Sequence, residues 1–190
     1  MRMNSVDNED KEVVIRFMRP VDQNSITSLI TAIDKEMSSG VYRFKLLISS
    51  PGGDVTAGLS AYNYLKGIPA YVTTHNFGSV DSIGIVIFCA GQERYASPQS
   101  RFLIHDVRSV FSSTSNLGEK DIEERLKSLK VDMENISKVI SSNSNLEASQ
   151  IQEFMLERTT LNPEEAVNMG LITEIRSELY SKRSKIISIH

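Results

Sequence analysis

The sequence predicts an α/β domain with a largely parallel sheet. Three observations support this: short apolar runs of strand character recur, helically spaced segments separate them, and glycine or proline marks most of the joins. Residues 13–18 (VVIRFM) and 44–50 (FKLLISS) read as the first two strands. Between them, Ile26, Leu29, Ile30, Ile33 and Met37 recur at helical spacing over residues 24–37, giving a β-α-β unit. Pro51-Gly52-Gly53 ends the second strand, and a second amphipathic helix over 57–65 stops near Gly67 and Pro69. Residues 70–74 form a third strand, and the strand-like segment ends by Gly78. The apolar run 82–90 comes next, followed by a turn at Gly91 and short strands at 94–96 and 101–105.

Beyond residue 108 the texture changes. Residues 109–116 are polar and serine-rich, whereas 120–140 are strongly charged with apolar residues at 122, 126, 129, 133, 136 and 140. This is a long amphipathic helix whose apolar stripe needs a partner. It either projects to pack on another subunit or lies on its own sheet. Residues 148–157 and 163–169 are shorter helices, the second with Asn162 as cap and Gly170 as stop. A strand over 171–175 follows, and the basic SKRSK at 181–185 reads as a solvated terminus. No repeat or domain boundary divides residues 1–190, so one domain is expected, with a short arm over 1–12 and a tail over 176–190.

Composition narrows the function. A formal charge of −3 provides no broad cationic field for nucleic acid or an anionic membrane. The start, MRMNSVDNEDKEVV, lacks the apolar core of a signal peptide, and no run approaches the roughly 18 apolar residues of a membrane span, so a cytoplasmic location is expected. The single cysteine, Cys89, lies in an apolar run and reads as a buried small hydrophobe. No metal-ligand spacing, Walker-type loop or G-x-G-x-x-G occurs, so neither a metal nor a cofactor is expected.

Two stretches can carry chemistry. The turn Ser50-Pro51-Gly52-Gly53 leaves backbone N–H groups unshielded and free to adopt positive φ; it is an anion-binding turn or only a tight connection. Ser82, at the start of the apolar helix, is a helix cap or a nucleophile, and its flanking residues do not match the G-x-S-x-G elbow. A serine nucleophile needs a base, and His75 and His105 both read as strand ends at the sheet edge where α/β proteins collect ligands. Asp106 reads as a poor partner for His105, because consecutive strand residues point to opposite faces.

Taken together, LLISSPGGDVTAGLSAYNYL, GSVDSIGIVIFCAGQERYASPQSRFLIH and PEEAVNMGLITEI resemble the proteolytic subunit of the Clp protease, in a divergent branch of the ClpP/crotonase superfamily. The resemblance covers nearly the whole chain and implies a β-β-α spiral with a protruding handle helix, the handle region spanning 109–157. It implies Ser82 as nucleophile, His105 as general base, and the Gly53 and Ile83 N–H groups as oxyanion hole, with His75 left to a structural or pocket-lining role. The implied activity is serine endopeptidase action on peptides or unfolded proteins inside a self-assembled ring of six or seven subunits.

The chain departs from the family pattern at several points. D-S-I-G stands where members usually read A-S-M-G, and ungapped alignment from Asp121 to Ala166 puts Arg158 where the family has its catalytic aspartate. A guanidinium cannot accept a hydrogen bond. Glu157 and Asn162 are the nearby candidates for the third triad member, which stays unassigned. The glycine-rich strand after the base reads D-V-R-S-V-F-S-S-T-S-N, and the short N-terminal arm argues against docking to an ATP-driven unfoldase. Two alternatives remain: a catalytically weak or silent oligomeric scaffold, and acyl-CoA chemistry as in the crotonases.

Overall fold

The computed structural model describes residues 11–108 and 118–190. The chain first lays down β1 (Glu12–Phe17), α1 (Gln23–Ser38), β2 (Arg43–Ser50), α2 (Val55–Gly67), β3 (Tyr71–Asp81), α3 (Ile83–Phe88), β4 (Glu93–Ala96) and β5 (Arg101–Leu103). It continues through α4 (Glu119–Ser141), α5 (Ala148–Glu157), β6 (Thr160–Leu161), α6 (Pro163–Asn168), β7 (Glu174–Ile175) and β8 (Lys185–Ile189). The sheet runs β6-β5-β3-β2-β1-β8, with β4 also on β3 and β7 on β4; every pairing is parallel except β5 with β6. Parallel strands need covering on both faces, which is why Ile15, Phe17, Leu46, Leu47 and Ile48 are all essentially inaccessible to solvent.

β3 organises the site. It is read from the sequence as stopping near residue 74 yet continues to Asp81, because its two halves have different neighbours: Thr73 to Asn76 pair with β4, and Ser79 to Asp81 with β5. Between them the register with β2 slips at Ile48/Ser50. The Asn76 amide fills this gap, donating to Arg101 O at 2.7 Å and accepting from the Gly78 N–H at 3.0 Å. His75 is therefore in mid-strand, opposite Leu47 and Tyr95, rather than at a strand end.

The helices follow their local signals. Asp22, Asp54 and Asn162 cap α1, α2 and α6 through side-chain oxygens. Towards the end of α4, Ile136 and Ile140 are buried, while Ile122, Leu126 and Val131 before them are exposed. The 181–185 segment is not solvated throughout. Lys185 opens β8, an edge strand along β1, and its Nζ donates to buried Glu36 at 2.6 Å. Residues 1–10, most of the expected arm, and 109–116, the serine-rich start of the expected handle, fall outside the described residues.

Candidate active site

At the C-terminal end of β3 the chain enters Ser82 with φ 57° and ψ −130°, a conformation that residues bearing a side chain rarely adopt. Hydrogen bonds over-determine it: the Ser82 N–H donates to Leu103 O at 2.8 Å, and Ser82 O accepts from the Ile85 N–H at 3.0 Å, opening α3. Ser82 occupies the cap position, but its hydroxyl makes no capping bond. Ser82 thus sits on a strained strand-to-helix turn, the placement found in nucleophile elbows, although Val80 stands where that motif has its first glycine and only Gly84 matches the second. Asp81, the residue that departs from the family's A-S-M-G, accepts from Arg101 at 3.1 Å and from Ser79 Oγ at 2.6 Å, tying the elbow to β5.

The glycine turn lies against this elbow. Gly52 has φ 82° and Gly53 φ 150°, and a Cβ on Gly52 would lie 2.7 Å from Ser82 Cβ and 2.8 Å from Asp81 O. A Cβ on Gly53 would collide with Val21 O. The Val21 N–H donates to Gly52 O at 2.8 Å and the Asp54 N–H to Val21 O at 2.7 Å, which leaves the Gly53 N–H outside both bonds. The Ile83 N–H belongs to the first turn of α3, where no intrahelical acceptor exists.

His105 follows β5, fixed by a bond from the Ile104 N–H to Thr159 O at 2.9 Å. Gly53, Ser82, Ile83 and His105 all line one cleft of about 210 Å³, walled on its apolar side by residues such as Ile136, Ile140 and Met155. No hydrogen bond joins Ser82 Oγ to His105 among the described residues, and apo catalytic contacts are often looser than those with substrate bound. His105 Nδ1 lies 2.7 Å from Asp106 O. A carbonyl only accepts, so Nδ1 carries the proton and Nε2 presents a lone pair. A larger cleft, about 880 Å³ near Glu36, Lys45 and Arg176, contains neither Ser82 nor His105.

The expected third-member positions do not meet His105. Arg158 is the left-handed C-cap of α5, with φ 59° and an exposed side chain. Glu157 is exposed at the end of α5. Asn162 Oδ1 is engaged by the Glu165 N–H at 2.9 Å. Asp106 is closer than strand alternation predicts: β5 ends at Leu103, so the rule does not extend to it, and its Oδ1 lies 3.8 Å from His105 Nδ1. Two charges, Asp106 and Arg108, directly after an apolar run are the sequence signal that the chain has left the sheet.

His75, Cys89 and Asp132 lie outside the Ser82 cleft. His75 is fully buried, its Nε2 lies 3.2 Å from Ser97 Oγ, and burial, aided by the Lys45 charge, pushes its pKa down to about 4. Cys89 is buried and its thiol is pushed up to about 12. In an adjoining groove of about 270 Å³, burial and the nearby Asp54 charge raise the Asp132 carboxyl. Among the described residues, no group of three His, Cys, Asp or Glu side chains could hold a metal, and no helix is long and apolar enough to cross a membrane.

The mixed α/β sheet brings a strained serine, a histidine and a glycine turn around one cleft. The Clp protease family model matches residues 3–178, and the chain belongs to that family of peptidases. It is 32% identical over 181 residues to the ATP-dependent Clp protease proteolytic subunit of Cyanophora paradoxa, covering 92% of this chain and 90% of that protein. The fold is similar to that of a ClpP1 point mutant from Listeria monocytogenes, with TM-score 0.78 and 23% identity over 87% of this chain and 91% of that one.

Proposed function

We propose that this protein is a serine endopeptidase in which Ser82 Oγ attacks a peptide carbonyl while His105 Nε2 takes its proton. The carbonyl oxygen becomes an oxyanion held by the Gly53 and Ile83 N–H groups. Collapse breaks the C–N bond, His105 returns the proton to the leaving amine, and water, deprotonated by His105, hydrolyses the acyl-enzyme. The observation that carries this reading is the Ser82 elbow: a backbone strain on the order of 1–3 kcal/mol is maintained at a serine whose hydroxyl caps nothing and faces a cleft shared with a histidine tautomer poised as a base. Two preorganised donors then stabilise the transition state by about 3 kcal/mol each.

The exposed Ile122, Leu126 and Val131 on α4 support self-assembly by helix packing into a ring of six or seven subunits enclosing the sites. A fluorophosphonate probe is expected to label Ser82 of the assembled protein, and Ser82→Ala or His105→Ala to abolish labelling. The competing reading, a weak or silent scaffold, is favoured by Arg158, since no carboxylate hydrogen-bonds His105 among the described residues. Stable rings that leave Ser82 unlabelled would establish it.

A further inference from the structure

We propose that Asp106 is the positioning residue of His105, filling the part that Arg158 leaves open; this rests on the serine-peptidase reading above. Asp106 offers two groups to one ring nitrogen. Its backbone oxygen accepts from Nδ1 at 2.7 Å, which fixes the tautomer, and its carboxylate Oδ1 lies 3.8 Å from the same atom. Among the described residues that Oδ1 is buried and has no hydrogen-bond partner, with Arg108 Nε at ion-pair distance only. Buried acceptors are nearly always satisfied, so one left open beside a histidine that must become positively charged is reserved for that charge.

The division of labour follows from the chemistry. In the resting site the carbonyl bond suffices to hold the neutral ring. When the Ser82 proton moves to Nε2, the ring becomes an imidazolium while Nδ1 keeps its own proton. The attraction between Nδ1–H and Oδ1 then rises, and a closure of about 0.8 Å brings them into hydrogen-bond range. The other charge in the cleft is Arg108, whose Nε lies 3.6 Å from Oδ1 and competes for it. The helices lining the cleft contribute aliphatic and thioether side chains there, Ile83, Ile85, Ile136, Ile140 and Met155, and none of these titrates. Arg158, at the end of α5, is exposed and outside the cleft lining.

The test is the kinetics of fluorophosphonate labelling at Ser82 of the full-length assembled protein, followed by intact mass. Because the carbonyl keeps the tautomer, Asp106→Asn should lose less than the roughly 10⁴-fold seen when a triad carboxylate also sets it. We expect kinact to fall about 10- to 100-fold with KI unchanged, Asp106→Ala to fall similarly and regain rate with added acetate but not with chloride at equal ionic strength, and Arg158→Gly to label at the wild-type rate. Wild-type labelling in Asp106→Asn would overturn the proposal alone. So would loss in Asp106→Ala that acetate leaves untouched, which would mark a purely structural role. A wild-type protein that never labels would overturn the peptidase reading and this proposal with it.

Discussion

The conformation of Ser82 makes stability and activity trade against each other at one residue. Its φ of 57° with ψ of −130° is a glycine-type region, held by the Leu103 and Ile85 hydrogen bonds. Such a residue stores on the order of 1–3 kcal/mol of strain. Ser82→Ala removes the hydroxyl and keeps the Cβ; Ser82→Gly removes both, so the difference between the variants isolates the backbone. Glycine gives back about 0.5–1 kcal/mol through the larger entropy of its unfolded chain. Ser82→Gly should therefore be about 0.5–2 kcal/mol more stable than Ser82→Ala, and both should be inactive. For a chain of this size each kcal/mol moves Tm by roughly 2–4 °C, so a shift of about 1–8 °C is expected. Urea denaturation and calorimetry at matched protein concentration read it, since assembly makes Tm concentration-dependent. A Ser82→Gly protein that melts at or below Ser82→Ala would refute the claim that the elbow is strained.

Gly52→Ala should abolish labelling of Ser82 and destabilise the fold by about 2 kcal/mol or more, because the new Cβ would sit 2.7 Å from Ser82 Cβ at a φ of 82°; denaturation and probe labelling measure the two effects. Cys89, buried with its thiol pushed up to about 12, should resist iodoacetamide in the native protein and react only after denaturation, as mass spectrometry would show. The folded pKa of His75 is depressed to about 4 from an ordinary value near 6.5, so the unfolded chain binds the extra proton. Its contribution is complete above pH 6.5, falls by at most about 3 kcal/mol as pH drops to 4, and then levels off. Urea midpoints at pH 7 and pH 4.5 should converge in His75→Gln relative to wild type.

The elements whose partners are local were legible in the sequence. Helix α1 shows its Ile26-Leu29-Ile33 face, and α6 follows from Asn162 as cap and Gly170 as stop, the latter indeed at φ 71°. What escaped depends on distant partners. Strand β8, KIISI, has three isoleucines but is only five residues long and begins at the end of the basic SKRSK stretch, and it pairs along β1, far away in the chain. The second half of β3 contains Asn76, Gly78 and Ser79, poor strand residues locally, and is held by β5 and by the Asn76 amide. Propensity in such a segment is overridden by pairing.

The same reason hid the most informative features of the site. Ser82 reads as a cap because a serine before an apolar run usually is one; the bond from its N–H to Leu103 O, which requires β5 beside β3, and the Ile85 bond that opens α3 together hold the positive φ at which its hydroxyl caps nothing. Asp106 reads as facing away from His105 because alternation is extrapolated past a strand that in fact ends at Leu103. Strand β5 is short because its pairing with β3 begins at Ser79, past the β2 slip at Ile48/Ser50, and covers three residues. One register irregularity thus sets both features: it brings β5 against the end of β3 to strain Ser82, and it lets the chain leave the sheet in time for His105 and Asp106 to share a turn.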